Sequence, residues 1–192
     1  MTEAEILEHF RATGALLEGH FLLSSGLHSS QYLQCALALR HPRDASRFGG
    51  AIAEQFAGQK FDAVVSPAIG GLIIGFAVAQ SLNVSFFWTE RENGTMIVRR
   101  GFSVAENEKL LVVEDVITTG GSTRECIAAV ENLGAKAVAA ASIIDRSGGA
   151  ADVGVPRVAL ATLNVPVFQP ENCPLCARGD EVVKPGSRSI GK

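Results

Sequence analysis

The hydrophobic positions of this chain change their spacing along the sequence. The first ten residues, MTEAEILEHF, place apolar side chains on one helical face behind a capping box of Thr2 and Glu5. Residues 44–57 repeat this pattern, with phenylalanine and isoleucine at four-residue spacing. Between them, residues 19–39 carry short apolar runs that Ser and Gly interrupt. The pattern predicts two helices separated by irregular strands that form a small hood.

From residue 63 onward, short apolar runs alternate with helical segments. The predicted strands are Ala63–Ser66, Ser85–Trp88, Leu110–Val113, Ala137–Ile144 and Val158–Val165. Alternating strands and helices form a parallel sheet that is covered on both faces. The predicted fold class is therefore α/β, a mostly parallel sheet flanked by helices with a small N-terminal hood. Such sheets bind ligands beyond the carboxyl ends of their strands, which here are the loops 66–71, 114–122 and 145–149.

Composition narrows the class of protein. The 192 residues predict one domain, 1–192, and a net charge of −3 argues against partners that bind through a strongly basic surface. We expect no nucleic-acid partner and no membrane partner, since the acidic start is unlike a signal peptide and no apolar run approaches a membrane span. A cytoplasmic location is expected. Four cysteines are too few for a disulfide scaffold in a chain of this size.

The stretch LLVVEDVITTGGSTRE, residues 110–125, carries the strongest chemical signal. Ser122 and Glu125 have the spacing of a capping box, which predicts the start of a helix. The two glycines before it allow consecutive backbone N–H groups to point at an anion, and the helix dipole favours a phosphate there. The hydroxyl donors that complete this cup are those of Thr118, Thr119 and Ser122.

Two adjacent acids precede the phosphate cup. Glu114 and Asp115 would repel a phosphate, so they are expected to contact another part of the ligand. Carboxylates accept hydrogen bonds from hydroxyl groups, and a sugar diol is a natural partner. A phosphate in the cup and a diol on the acids describe a ribose 5-phosphate. The alternative is an ordinary strand–helix turn with two solvated acids, which the full string of motifs disfavours. No P-loop and no G-x-G-x-x-G motif is present.

The segment VVEDVITTGGS resembles the phosphoribosyl pyrophosphate motif of the type I phosphoribosyltransferases. Five further stretches resemble the orotate phosphoribosyltransferase family within that class: FLLSSGLHSSQY, SPAIGG, TERENGTMIVRRGF, IIDRSGG and CPLCARGDEVVKPGSR. The resemblance implies orotate and phosphoribosyl pyrophosphate as substrates, Mg2+ as cofactor, and a homodimer whose flexible loop reaches the neighbouring site. It also implies a hood made of about 1–40 plus the C-terminal tail, on a core of about 41–165.

The resemblance assigns roles to particular residues. Asp115, Glu114 and Arg91 would be catalytic. The residues that would bind phosphoribosyl pyrophosphate are Glu114, Asp115, Val116, Ile117, Thr118, Thr119, Gly120, Gly121, Ser122, Ala68, Ile69, Gly70 and Arg91. Thr118 and Arg146 would contact orotate, Arg146 through the carboxylate of the base. No metal ligand is assigned to the protein, because magnesium would be held mainly through the substrate.

The chain departs from the family where charge is needed. Many relatives carry lysines where Ser24 and Gly70 stand here, so cations for the pyrophosphate would come from Arg91, Arg99 or Arg100. These arginines lie in residues 89–103, a charged connection predicted to be a lid over the ligand. Solvated charges on a flexible surface hairpin are the alternative.

Several residues have a structural alternative to a functional role. Asp145 could orient Arg146 or cap a turn. His9, His20, His28 and His41 are expected on a helix face or on the hood surface. The CPLC segment would need two more ligands for zinc and lies away from a βαβ unit, so reduced thiols packed in the tail are predicted.

Two other functions remain as rivals. A phosphoribosyltransferase for another base would share the acidic turn but need a different base pocket. A non-enzymatic regulator that senses phosphoribosyl pyrophosphate and binds nucleic acid would need a basic groove or an added helix pair, which the net charge and the absence of an extra domain disfavour.

Overall fold

A computed structural model of the protein describes residues 1–23 and 25–185. Its helices are α1 (Glu3–Ala12), α2 (Cys35–Ala38), α3 (Pro42–Glu54), α4 (Leu72–Leu82), α5 (Gly121–Glu131) and α6 (Pro174–Ala177), with a 3-10 turn over Pro170–Asn172. Its strands are β1 (Leu16–Leu22), β2 (His28–Leu33), β3 (Ala63–Pro67), β4 (Ser85–Glu92), β5 (Thr95–Val98), β6 (Lys109–Ile117), β7 (Lys136–Asp145), β8 (Arg157–Thr162) and β9 (Val167–Phe168).

The main sheet has six strands in the order β5-β4-β3-β6-β7-β8. All neighbouring pairs are parallel except β4 and β5, which form an antiparallel hairpin. The predicted α/β class with a mostly parallel sheet is confirmed. Because β3, β6 and β7 are adjacent and parallel, their carboxyl ends lie together at one edge of the sheet, as the sequence predicts for loops 66–71, 114–122 and 145–149.

Both faces of the sheet are covered by helices. Val64, Leu111 and Val113 face a core built with α1, α3 and α4. Val65 and Val112 face a second core built with α5. Successive residues of a strand point to opposite faces, so a strand buried on both sides carries an unbroken apolar run. This is why β3 and the first half of β6 lack polar alternation.

The hood is a separate three-stranded antiparallel sheet in the order β1-β2-β9. The tail adds to it, because Val183 donates its N–H to the carbonyl of His20 and accepts a hydrogen bond from Leu22. The hood therefore combines the N-terminal strands with residues from beyond the core. Ser24 lies outside the described residues.

The connection 89–103 differs from its prediction. Strand β4 extends to Glu92, and Asn93 and Gly94 turn the chain with φ values of 50° and 85°, which suit a tight hairpin turn. Met96 on β5 is buried, so the connection predicted as a charged lid is partly strand and contributes a residue to the core. A second difference is the length of β6, which runs to Ile117 and includes both acids, whereas the sequence placed them after the strand.

Candidate functional site

The acids of β6 lie against the loop that follows β3. A Cβ atom built on Gly70 would lie 2.8 Å from Oδ1 of Asp115. Real Cβ atoms do not approach an oxygen this closely, so glycine permits the contact between the loop and the carboxylate. The loop assigned to pyrophosphate and the acids assigned to ribose are therefore neighbours. A side chain at position 70, such as that of lysine, would displace the carboxylate of Asp115 from this position.

The environment of the two acids opposes their ionisation. Burial, with a smaller contribution from the charge of Asp115, raises the pKa of Glu114 to about 7, against a hydrogen bond from the Thr123 hydroxyl that lowers it. Burial also raises the pKa of Asp115, although the N–H of Val116 donates to its Oδ1 at 2.9 Å. Neither acid pairs with a cation in the residues that the structure describes. A ligand that brings hydroxyl groups and positive charge would restore their ionised forms.

The start of α5 differs from the predicted capping box. The N-cap is Gly120, with φ 75°, and no side chain caps the helix. Ser122 lies inside the first turn, and Glu125 forms an ion pair with Arg91 in place of the reciprocal capping contact. The first N–H groups of a helix have no intrahelical partner, so an uncapped start leaves them available to an anion. A cap formed by Ser122 would occupy these N–H groups, so a helix that starts at Gly120 is better suited to bind a phosphate.

The cup residues differ in how they are exposed. Thr119 is exposed, whereas Thr118, Gly121 and Ser122 are partly buried. The side chain of Ile117 is wholly buried, so this residue can contact a ligand only through its backbone. Arg124, which the sequence analysis did not single out, donates to the carbonyl of Thr119 at 3.0 Å and fixes the turn from outside.

Arg146 lies beside the cup. Its N–H donates to the carbonyl of Ile117 at 2.8 Å, which brings it next to Thr118. Burial lowers the pKa of its guanidinium, and its side chain forms no ion pair within residues 1–23 and 25–185. Asp145 does not orient it. This carboxylate accepts hydrogen bonds from the Ser147 N–H at 2.7 Å and from Arg157 at 2.9 Å, so the turn-capping alternative is correct.

The arginines of the hairpin contact nearby acids. Arg99 pairs with Glu92 at 3.1 Å, and Arg100 pairs with Glu90. Arg91 donates to the carbonyl of Gly94 at 2.7 Å as well as pairing with Glu125 on α5. A cavity of about 420 Å³ separates the hairpin from the loop after β3, and its lining residues are Ala68, Ile69, Leu72, Trp88, Glu90, Arg91 and Arg100. Two of the three candidate arginines therefore face the loop assigned to pyrophosphate.

The hood contributes one residue that sequence reasoning missed. Cys35 is buried at the start of α2, and its thiol lies close enough to Asp115 to influence the pKa of that carboxyl. Burial, followed by the neighbouring charge of Asp115, raises the pKa of this thiol well above its usual range. No sequence signal could have identified this proximity, because it depends on how the hood docks on the core.

The histidine predictions are only partly correct. His9 lies on α1 beside Phe48, and His41 is exposed at the start of α3. His20 and His28 belong to the hood, but both are buried, so their expected surface location is wrong. They lie against the two cysteines of the tail, where strands β1 and β2 meet α6.

None of the helices described is both long and apolar enough to cross a membrane.

The six-stranded sheet and the acidic turn between β6 and α5 fall within a single family match, which places the protein in the class of phosphoribosyltransferases. A model of the phosphoribosyl transferase domain matches residues 39–163.

Comparisons with known proteins narrow this class. Over 188 residues, the chain is 50% identical to the orotate phosphoribosyltransferase of Caldicellulosiruptor bescii, covering 98% of this chain and 99% of that protein. It is 50% identical over 190 residues to that of Pelotomaculum thermopropionicum, covering 99% and 100%. The crystal structure of orotate phosphoribosyltransferase from Aeropyrum pernix superposes with a TM-score of 0.69 at 27% identity, covering 82% of this chain and 93% of that one. The chain belongs to the orotate phosphoribosyltransferase family, and is a transferase.

Proposed function

We propose that the protein transfers the phosphoribosyl group of phosphoribosyl pyrophosphate to a ring nitrogen of orotate. The products are orotidine 5′-phosphate and pyrophosphate, and the reaction belongs to pyrimidine (UMP) biosynthesis. The observation that carries the proposal is the pairing of two partly buried acids on β6 with the uncapped start of α5. The 50% identity to relatives named orotate phosphoribosyltransferases over nearly the whole chain supports orotate as the base.

The sugar phosphate occupies the turn between β6 and α5 in this proposal. Backbone N–H groups from Thr118 to Ser122 bind the 5-phosphate, with the hydroxyl groups of the turn as further donors. Glu114 and Asp115 accept hydrogen bonds from the ribose hydroxyls. The same carboxylates stabilise the positive charge that develops at C1 when the bond to pyrophosphate breaks. No covalent intermediate with the protein is needed.

The residues around the acids fit a ligand that carries magnesium. Both carboxylates are hard oxygen donors whose pKa burial raises, and neither pairs with a cation among the residues described. In the proposal the metal would be held mainly through the substrate, and Glu114 and Asp115 are the protein residues that would hold it through the ribose. When bound, magnesium would neutralise negative charge on the leaving pyrophosphate.

Orotate is recognised by Arg146 and Thr118. A partly buried guanidinium that pairs with no carboxylate among the described residues is suited to the planar carboxylate of the base. The backbone hydrogen bond from Arg146 to Ile117 supports this role, since it brings Arg146 beside the sugar-phosphate turn. Arg146→Ala should therefore weaken orotate more than phosphoribosyl pyrophosphate, by about 1.5–3 kcal/mol, or roughly 10- to 150-fold in KM.

The main experiment follows orotate absorbance in the presence of phosphoribosyl pyrophosphate and magnesium. We expect orotidine 5′-phosphate with magnesium, little without it, and severe loss of turnover in Asp115→Asn. Arg43→Ala, which removes an exposed cation of α3, is the control for Arg146→Ala. Activity on adenine or hypoxanthine without activity on orotate would favour another base and overturn the proposal. Binding of phosphoribosyl pyrophosphate without any transfer, together with salt-sensitive binding of RNA or DNA, would favour the regulator.

We further propose a homodimer in which the hairpin reaches the neighbouring site. Ile73 and Phe76 expose 53% and 59% of their surface on α4, and Ile69 exposes 83% in the loop before it. Apolar side chains this exposed are candidates for a subunit interface. Closure of the hairpin over the pyrophosphate would exchange its carboxylate partners for phosphate oxygens and exclude water.

Mixed dimers test this arrangement. Arg91→Ala and Asp115→Asn should each be nearly inactive, and mixing them should restore activity if Arg91 acts on the partner subunit. Arg99→Ala/Arg100→Ala shows whether the other two hairpin arginines contribute. Full activity in all arginine variants would refute the lid, and an active monomer would refute action across the dimer. A cytoplasmic location is also part of the proposal, and fractionation of cells that produce the protein tests it.

A further inference from the structure

Four potential metal ligands meet between the hood and the tail. His20 lies on β1 and His28 on β2, whereas Cys173 immediately precedes α6 and Cys176 lies within it. One ligand atom from each of them lies within 4.8 Å of those of the other three. Three of the side chains are buried and Cys176 is exposed, so the group lies at the surface of the hood. None of these residues has a role in the proposed transfer reaction.

The sulfur–nitrogen separations in this group match a tetrahedral site. The sulfur of Cys173 lies 3.5 Å from Nε2 of His20, and the sulfur of Cys176 lies 3.7 Å from the same nitrogen and 3.3 Å from Nδ1 of His28. In tetrahedral zinc sites, bond lengths of about 2.3 Å to sulfur and about 2.0–2.1 Å to nitrogen separate the two atoms by about 3.5 Å. The two nitrogens are 2.8 Å apart, and tetrahedral binding would separate them to about 3.4 Å.

The hydrogen bonds around the group prepare His20 as a ligand. Its Nδ1 lies 2.9 Å from the carbonyl of Asp180, so Nδ1 carries the proton and donates it. The lone pair of Nε2 then points towards the cysteines. Metal-bound histidines usually donate their second ring nitrogen to a carbonyl or carboxylate in this way, which fixes the tautomer and orientation of the ring.

Access to the group and its chemistry indicate a particular metal. A cavity of about 670 Å³ on the hood is bordered by His20, Leu175 and Val183, and gives a path from solvent. Two sulfur and two nitrogen ligands in a tetrahedron are typical of zinc. Four protein ligands leave no open position for substrate or water, which is the pattern of a structural site.

We propose that His20, His28, Cys173 and Cys176 bind a structural zinc ion that fastens the tail to the hood. The CPLC segment is thereby completed by the two ligands that sequence reasoning could not find. The strand β9 joins the hood through only two residues, and α6 has only four, so backbone pairing holds this region weakly. Zinc links segments that are far apart in sequence, and its binding free energy adds to the stability of the folded chain.

Metal content is the first test. The full chain, purified without nickel and under reducing conditions, should retain about one zinc ion per chain after dialysis. Cys176→Ala and His28→Asn should lose it. There are two matched controls. Cys126→Ala removes a buried thiol of α5, and His41→Asn keeps a capping side chain at the start of α3. Wild-type protein that takes up no zinc, or variants that bind as much as wild type, would overturn the proposal.

Cobalt reports the geometry. The metal-free protein titrated with Co2+ should show the intense visible bands of a tetrahedral centre and a thiolate charge-transfer band. Cys176→Ala should weaken both. Weak octahedral bands, unchanged by the substitution, would mean adventitious binding elsewhere and would refute the site.

Thermal unfolding distinguishes the loss of zinc from the loss of side-chain packing. Cys176 is exposed, so truncating it to alanine leaves little cavity. A chelator should lower the Tm of the wild type, and Cys176→Ala should already have this lower Tm and not respond to the chelator. A Tm that responds to oxidant and reductant but not to chelator would show a thiol pair instead of zinc. An equal Tm for wild type and Cys176→Ala, each with and without chelator, would also refute the proposal. These readouts do not depend on transfer activity, so they stand or fall separately from the proposed function.

Discussion

The protonation of Glu114 makes the stability of the fold depend on pH in an unusual direction. Burial, the largest cause, raises the pKa of this carboxyl from 4.5 to about 7. Between these two pH values the folded protein keeps a proton that the unfolded chain releases. The contribution of Glu114 to stability is therefore fully present below pH 4.5 and is lost as the pH rises towards 7. The pKa difference corresponds to a loss of about 3 kcal/mol.

Glu114→Gln isolates this effect, because glutamine cannot ionise but still offers an oxygen to the Thr123 hydroxyl. Urea unfolding between pH 5 and 8 gives the free energy of unfolding for both proteins. The free energy of unfolding of the wild type, relative to that of the variant, should fall as the pH rises, by most of the loss of about 3 kcal/mol. The control is Glu131→Gln, at the exposed end of α5, which should leave the pH profile unchanged.

Parallel pH profiles for wild type and Glu114→Gln would refute the reasoning. They would mean that the carboxyl is solvated or that it has the same pKa in the folded and unfolded chain. A rise of relative stability with pH would be a stronger contradiction, because it would require a cationic partner that holds the pKa below its ordinary value.

Two further predictions concern stability, and urea unfolding measures both. A Cβ on Gly49 would lie 2.5 Å from a backbone atom of α4, so Gly49→Ala should cost about 2 kcal/mol, whereas Gly50→Ala, with nothing within 4 Å, should be neutral or stabilise by up to about 1 kcal/mol. Equal effects would show that α3 and α4 are not packed this closely. Arg157→Ala removes the partly buried cation that pairs with the buried Asp145 at 2.9 Å, which leaves that carboxylate unpaired, and should cost about 3 kcal/mol. The exposed Arg47 on α3 provides the control, since Arg47→Ala should cost less than about 1 kcal/mol, and a similar cost for both would contradict the role of burial.

The helices and strands were predictable where the local pattern was unambiguous. The capping box of Thr2 and Glu5 forms at the start of α1, and the buried runs of β3 and β6 lie where the apolar residues indicate. Local pattern misled at the start of α5. Ser122 and Glu125 have the spacing of a capping box, but the glycine in a left-handed conformation starts the helix earlier, and Arg91 pairs with the glutamate.

The same limit applies to the hairpin. The charges of residues 89–103 favour a loop, yet strand pairing between β4 and β5 continues the sheet through them and buries Met96. Pairing between strands depends on the neighbouring segment, so the polar pattern of one segment alone does not exclude a strand.

The sequence by itself determined the parts of the site that are contiguous along the chain. Glycines, hydroxyl groups and two acids within residues 114–122 indicate a sugar-phosphate site because their chemistry and spacing act within one strand–turn–helix unit. Only the tertiary structure decided which distant side chains join them. The proximity of Cys35 to Asp115 and the approach of Gly70 to the same carboxylate depend on how separate segments pack, and burial is the largest influence on the pKa of this acid. The grouping of histidines 20 and 28 with the tail cysteines has the same origin, since residues far apart in sequence meet only when strands pair and the tail docks.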